Sequence, residues 1–135
     1  MRPTVEFDVL RPTTLADAAS LLHRRRARLV AGGTDLLPNL RRGLLPTRWL
    51  VDLTAVDGLA AITTDSSGWR IGAGLTLSSL LQHEELVAAL PALAQAAAAV
   101  AGPGHRSAAT LGGNLCQDTR CVFFNQSEWW RAANS

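Results

Sequence analysis

The sequence predicts an α+β fold with an α/β N-terminal part. A small parallel βαβ unit is expected over residues 1–57, and the start of a larger antiparallel α+β unit over residues 58–135. Three observations carry this. Strand-like and helix-like segments alternate over about 50 residues at the N-terminus, as crossover connections between parallel strands require. Two strand-like runs then flank Asp65-Ser66-Ser67-Gly68, an antiparallel hairpin signal. A pair of Gly-Gly turns, at 32–33 and 112–113, places one turn in each unit.

The elements follow in order. Val5 to Leu10 reads as a short strand closed by Arg11-Pro12. Thr14 then caps a helix, with Asp17 as its capping-box partner. Leu15, Ala18, Ala19 and Leu22 form an apolar face at helical spacing. Arg24-Arg25-Arg26 falls at the end of that helix, as a solvated last turn that complements the dipole or as a phosphate-binding patch. Arg28 to Ala31 reads as a buried strand, broken by Gly32-Gly33-Thr34-Asp35. A second helix buries Leu36, Leu37, Leu40 and Leu44, tolerates Pro38 in its first turn and ends near Gly43. Trp49 to Leu53 is the third strand.

In the second unit, Leu59–Thr64 and Trp69–Ala73 are the hairpin arms. Thr76 starts a short helix through Leu77, Leu80 and Leu81, and Pro91 opens another that runs to Ala101. Residues 102–114 read as a Gly-, Ser- and Thr-rich loop, and the tail 116–135 holds both cysteines and Trp129-Trp130. The adjacent tryptophans suggest a packing or interface feature.

Composition narrows the function classes. Apolar residues are 47% and charged residues 18% of the chain, which suits a packed core and excludes a disordered one. A net charge of +2 is too small to argue for a nucleic-acid partner. Every cation is arginine, a composition typical of GC-rich coding DNA, so basicity carries little functional weight. Two cysteines exclude a disulfide-dense scaffold. No apolar run reaches membrane-spanning length and no signal-peptide pattern opens the chain, so neither a membrane nor a secretory role is expected and the location is read as cytoplasmic.

The chemistry is expected at the two glycine turns. Val30-Ala31-Gly32-Gly33-Thr34-Asp35-Leu36 lies between a strand and a helix start. Paired glycines there let backbone N–H groups converge on one concavity and let a ligand approach the main chain. The helix dipole adds positive potential. That is the chemistry of a pyrophosphate site with no arginine or lysine in contact. Thr110-Leu111-Gly112-Gly113-Asn114 adds a hydroxyl and an amide. Neither turn is a Rossmann fingerprint or a P-loop. His105 reads as a loop residue, and His23 and His83 as helix-surface residues.

These motifs carry a resemblance. Leu29-Val-Ala-Gly-Gly-Thr-Asp-Leu-Leu37, Val51-Asp-Leu-Thr54, Ile71-Gly-Ala-Gly-Leu-Thr-Leu77 and Ala108-Ala-Thr-Leu-Gly-Gly-Asn-Leu115 together resemble the FAD-binding medium subunit of the molybdenum hydroxylases, the group of xanthine and carbon monoxide dehydrogenases. The resemblance implies the p-cresol-methylhydroxylase-type FAD fold. It implies FAD held by backbone from 30–36 and 110–114, and no catalytic side chain. It also implies two partners: a subunit with 2Fe-2S clusters and a molybdopterin-binding large subunit.

The tail from Asn114 to Arg131, with Asp118-Thr-Arg-Cys121, is similar to the beta subunit of 4-hydroxybenzoyl-CoA reductase. That branch implies a 4Fe-4S cluster with Cys121 as a ligand. Such a cluster needs four thiolates and this chain has Cys116 and Cys121 alone, so a complete cluster is expected only in a longer chain. The resemblance therefore describes an N-terminal fragment, with a xanthine- or carbon-monoxide-dehydrogenase-like subunit, or a remnant unable to hold flavin, as its alternatives.

Overall fold

The computed structural model describes residues 6–118, 121–122, 125–126 and 128–134. The expected strand start at Val5 and residues Thr119, Arg120, Phe123, Phe124, Ser127 and Ser135 of the tail lie outside the described residues.

The first unit is β1 (Asp8–Leu10), α1 (Leu15–Leu21), β2 (Ala27–Val30), α2 (Leu36–Arg41) and β3 (Trp49–Asp52). The strands are parallel in the order β1-β3-β2, with Val51 beside both Leu10 and Leu29. Both faces of central β3 are covered, so its consecutive Leu50 and Val51 are both buried, the pattern of a parallel strand. A 3-10 turn, Leu53–Ala55, follows β3.

Thr14 caps α1 as expected, but among the described residues the reciprocal bond of a capping box, from the Thr14 N–H to Asp17, does not form. Thr14 Oγ1 accepts from the Asp17 N–H at 3.1 Å and donates to the Asp17 carboxylate at 2.7 Å. The expected apolar face does not form. Ala18 is buried, but Leu15 is 60% exposed and Leu22 42% exposed. A two-turn helix on a three-stranded sheet is supported only where it crosses a strand. The arginine run is corrected too. Helix α1 ends at Leu21 with no basic residue in its last turn. Arg24–Arg26 instead form the turn into β2, where Arg26 has φ 63° and its carbonyl accepts from the Arg48 and Trp49 N–H groups. The Arg24 and Arg48 guanidiniums lie 4.9 and 5.3 Å from the Trp49 ring centre, within cation–π range.

At the C-terminal end of β3, burial pushes the Asp52 carboxyl up, but the Thr54 N–H and hydroxyl and the Arg11 guanidinium outweigh it and hold the group below its ordinary value. A lowered native pKa stabilises the fold above the unfolded-state value, about 3.9, and that contribution is lost as pH falls through the native value. Asp52→Asn is therefore expected to lower the melting temperature at pH 7 and to leave a smaller difference from the parent near pH 3. Parallel curves for the two proteins across pH 3–7 would contradict this.

The second unit opens with an antiparallel hairpin, β4 (Ile62–Asp65) and β5 (Gly68–Ile71). Helices α3 (Leu77–Gln82), α4 (Glu84–Ala89), α5 (Pro91–Ala99), α6 (Pro103–Arg106), α7 (Leu111–Leu115) and α8 (Glu128–Ala133) follow. Buried Leu75, Leu77, Leu80, Leu86, Ala97 and Ala109 form its core, with Ile62, Trp69 and Ile71 of the hairpin packed against them.

Two expectations change here. His83 is not a surface residue. Its Nδ1 accepts from the Leu86 N–H at 3.2 Å, so it caps α4, and its ring meets the Trp69 ring edge-on at 5.7 Å. The expected loop at 102–114 contains α6 and α7. Arg106 donates to the Ala98, Val100 and Ala101 carbonyls and so ties off the end of α5.

Candidate functional site

The two glycine turns meet. A Cβ on Gly32 would fall on the Ala108 carbonyl of the segment leading into α7. The absence of a side chain at Gly32 is thus what lets the first turn rest on the second unit, rather than what admits a ligand. Gly112 plays the matching part against the hairpin, where a Cβ would lie 2.7 Å from the Ala73 Cβ and 2.9 Å from its carbonyl oxygen. Gly33 is needed for conformation, with φ 68°.

Between the units lies a cavity of about 700 Å³, lined by Val30–Leu36 from one side and by Thr110, Gly112, Gly113 and Asn114 from the other. That volume is in the range of small-molecule and cofactor sites, roughly 300–1,000 Å³. Leu22, Leu29, Leu53 and Leu59 supply apolar wall. A polar annexe of about 440 Å³ adjoins it and shares Thr34, Asp35, Asn114, Gln117 and Asp118 with it. Eleven of the twelve residues expected at the site therefore line one cavity. Leu111 does not: its side chain packs on the second core and its N–H donates to the Leu75 carbonyl.

The two turns differ in what they offer. Among the described residues, no acceptor meets the N–H groups of Gly32, Gly33 and Thr34. In the second turn the amides are used within the protein. Gly112 donates to Ala73, Gly113 to the Thr110 hydroxyl and Asn114 to the Thr110 carbonyl. Thr110 is the N-cap of α7, not a bare hydroxyl donor. Asn114 Nδ2 gives one bond to the Thr110 carbonyl, leaving the rest of its amide at the cavity wall. The expected helix dipole behind the first turn is slight, because α2 has six residues; Asn39, nearly fully buried, holds Asp35 there through bonds to its carbonyl and carboxylate.

Several further lining residues escaped the sequence, Arg28 among them. Arg28 on β2 borders the cavity, and its Nε is buried with no hydrogen-bond partner among the described residues. The available signal was a charge inside an otherwise apolar strand. His105 also lines the cavity, exposed, and among the described residues no catalytic partner is paired with it. Cys116 and Cys121 are both exposed. Cys116 lines the cavity and Cys121 does not, and among the described residues no group of three metal-ligating side chains forms. No described helix is long and apolar enough to cross a membrane.

Comparison with known proteins fits this geometry. Residues 5–124 match the family model of the FAD binding domain in molybdopterin dehydrogenase. The xanthine dehydrogenase FAD-binding subunit of Escherichia coli O157:H7 is 42% identical over 108 residues, which are 78% of this chain and 37% of that protein. The carbon monoxide dehydrogenase medium chain of Afipia carboxidovorans is 36% identical over 110 residues, 80% of this chain and 38% of that one. The solved carbon monoxide dehydrogenase from Oligotropha carboxidovorans superposes with a TM-score of 0.78 at 35% identity, over 84% of this chain and 40% of that one. The chain thus spans well under half the length of these relatives. Its parallel three-stranded unit, its hairpin unit and its match across 120 residues make it a member of the family of FAD-binding domains of molybdopterin dehydrogenases.

Proposed function

We propose that this chain holds FAD in the cavity between its two units and is the flavin-binding part of an electron-transfer subunit of a molybdopterin-dependent oxidoreductase. The observation that carries the proposal is that Gly32, Gly33 and Thr34, whose N–H groups meet no acceptor among the described residues, line a cavity that the second glycine turn also lines. Unpartnered amides in a cavity wall suit an anionic diphosphate. The buried, unpartnered Nε of Arg28, which lines the same cavity, also suits a ligand rich in acceptors. The residues present fit FAD.

The first turn would bind the diphosphate through its main chain. Val30–Leu36 and Thr110, Gly112, Gly113 and Asn114 would wall the cofactor from water, with Asn114 offering its remaining amide capacity to a polar edge. Leu111 would act only by packing α7 in place. Bound FAD would supply a redox centre that takes up and passes on electrons. The partners that membership of this family implies are a subunit carrying 2Fe-2S clusters and a molybdopterin-binding large subunit. Residues 1–57 and 58–135 are proposed as the two flavin-clasping subdomains.

Relatives named for xanthine and carbon monoxide dehydrogenases favour a subunit of that type over one like 4-hydroxybenzoyl-CoA reductase. The latter reading rests on Asp118-Thr-Arg-Cys121, part of which lies outside the described residues. A 4Fe-4S site at Cys121 belongs to that reading and has no support from the described residues.

Flavin titration of the purified chain tests the proposal. Added FAD is expected to give a bound flavin spectrum near 450 nm and quenched fluorescence, saturating at about one per chain, as one site between the two glycine turns implies. Free FAD spectra at every ratio would overturn it.

A further inference from the structure

We propose that Arg28 is the cationic anchor for the phosphate groups of the ligand in this cavity, a role that rests on the FAD reading above. The first glycine turn supplies only neutral donors. Arg28 borders the same cavity from β2, four residues before Gly32 on the same strand-and-turn segment. Its strand neighbour across the sheet is Leu50, which is 2% exposed, so the side chain starts from an apolar wall. Its Nε is buried, and among the described residues no side chain or carbonyl accepts from it.

Arg28 is half-buried, and leaving its buried Nε–H without an acceptor lowers the stability of the empty protein, because a buried donor with no hydrogen bond is unfavourable. Arginine elsewhere in the chain behaves otherwise. Arg11 and Arg48 pair with Asp52 and Asp8, and Arg106 binds three carbonyls. The carboxylates of the cavity, Asp35 and Asp118, also line the polar annexe, which Arg28 does not reach. Arg28 is therefore placed where an incoming anion would complete its hydrogen bonding. A charge-assisted guanidinium–phosphate contact is the strong form of that bond, with planar donors that match phosphate oxygens.

This reading predicts effects of opposite sign on stability and on binding. Arg28→Met keeps the apolar stem and removes the cation. Without ligand, its melting temperature is expected to equal or exceed that of the parent. Its dissociation constant for FAD, read by fluorescence quenching, is expected to rise roughly 10- to 100-fold, the loss of one charge-assisted hydrogen bond. The slope of log Kd against log salt is expected to flatten, because one cation fewer meets the phosphates. Arg28→Lys is expected to keep the parental salt slope with a smaller loss. Unchanged FAD affinity in Arg28→Met overturns the proposal while leaving FAD binding itself intact. So does a fall in unliganded melting temperature with equal losses in both variants, which would mark Arg28 as structural. Failure of the parent to bind FAD overturns both readings together.

Discussion

Gly32→Ala is expected to abolish flavin binding and to lower the melting temperature together. The added methyl would occupy the position of the Ala108 carbonyl, which belongs to backbone and cannot rotate aside. The turn after β2 and the segment before α7 must then separate. Overpacking of this kind costs about 1–3 kcal/mol. For a chain of this length that is a fall of roughly 4–12 °C. Binding suffers more than stability, because the displaced turn carries the three unpartnered amides and forms one wall of the cavity.

Gly33→Ala provides the contrast. It is strained by φ 68°, and its Cβ would lie 2.8 Å from Leu37 Cδ1, the movable end of a side chain. A left-handed non-glycine residue costs about 1–2 kcal/mol, but nothing forces the two units apart. Flavin affinity should therefore fall further in Gly32→Ala than in Gly33→Ala. Parental melting and parental FAD affinity in Gly32→Ala would show that the two turns do not rest on one another.

Leu80→Ala is expected to be the most destabilising single truncation in the second unit. Leu80 is 1% exposed and lies in the cluster of Leu75, Leu77, Leu86, Ala97 and Ala109. Removing such a side chain costs about 2–5 kcal/mol through lost burial and the cavity left behind. Against a typical total of about 5–15 kcal/mol, that is a large share of the stability. Urea denaturation should show a midpoint lowered by about 1–3 M, with a slope of about 1–3 kcal/mol/M for a small protein. Leu15→Ala is the matched control: at 60% exposed it should shift stability by no more than about 0.5 kcal/mol. An equal loss in the two variants would mean that Leu15 is covered in solution and that the buried cluster is not the main source of stability.

Local signals were legible wherever a residue acts on its own backbone neighbours. Thr14, Thr76 and Thr110 each cap a helix in the structure, and the first two were readable because a threonine hydroxyl accepts from the N–H three residues on. The third was hidden among glycines, which read as loop. Helix α4 was missed because its cap is an imidazole, a residue type that carries no such signal. Parallel pairing of the first three strands followed from their helical crossovers, and the hairpin from the Asp65–Gly68 turn.

The sequence by itself determined the parallel first unit, the hairpin and the glycine turns, because spacing, caps and turns are set by residues near one another in the chain. The tertiary structure alone decided which glycines serve packing and which serve conformation. Gly32 answers to Ala108, seventy-six positions away, and no local pattern records that distance. Tertiary structure likewise spent the amides of the second turn on Ala73 and Thr110, left those of Gly32, Gly33 and Thr34 without an acceptor among the described residues, and buried the Nε of Arg28, which lines the same cavity. Hydrogen-bond satisfaction is settled only when distant backbone segments meet, and at this site that meeting is what forms the cavity.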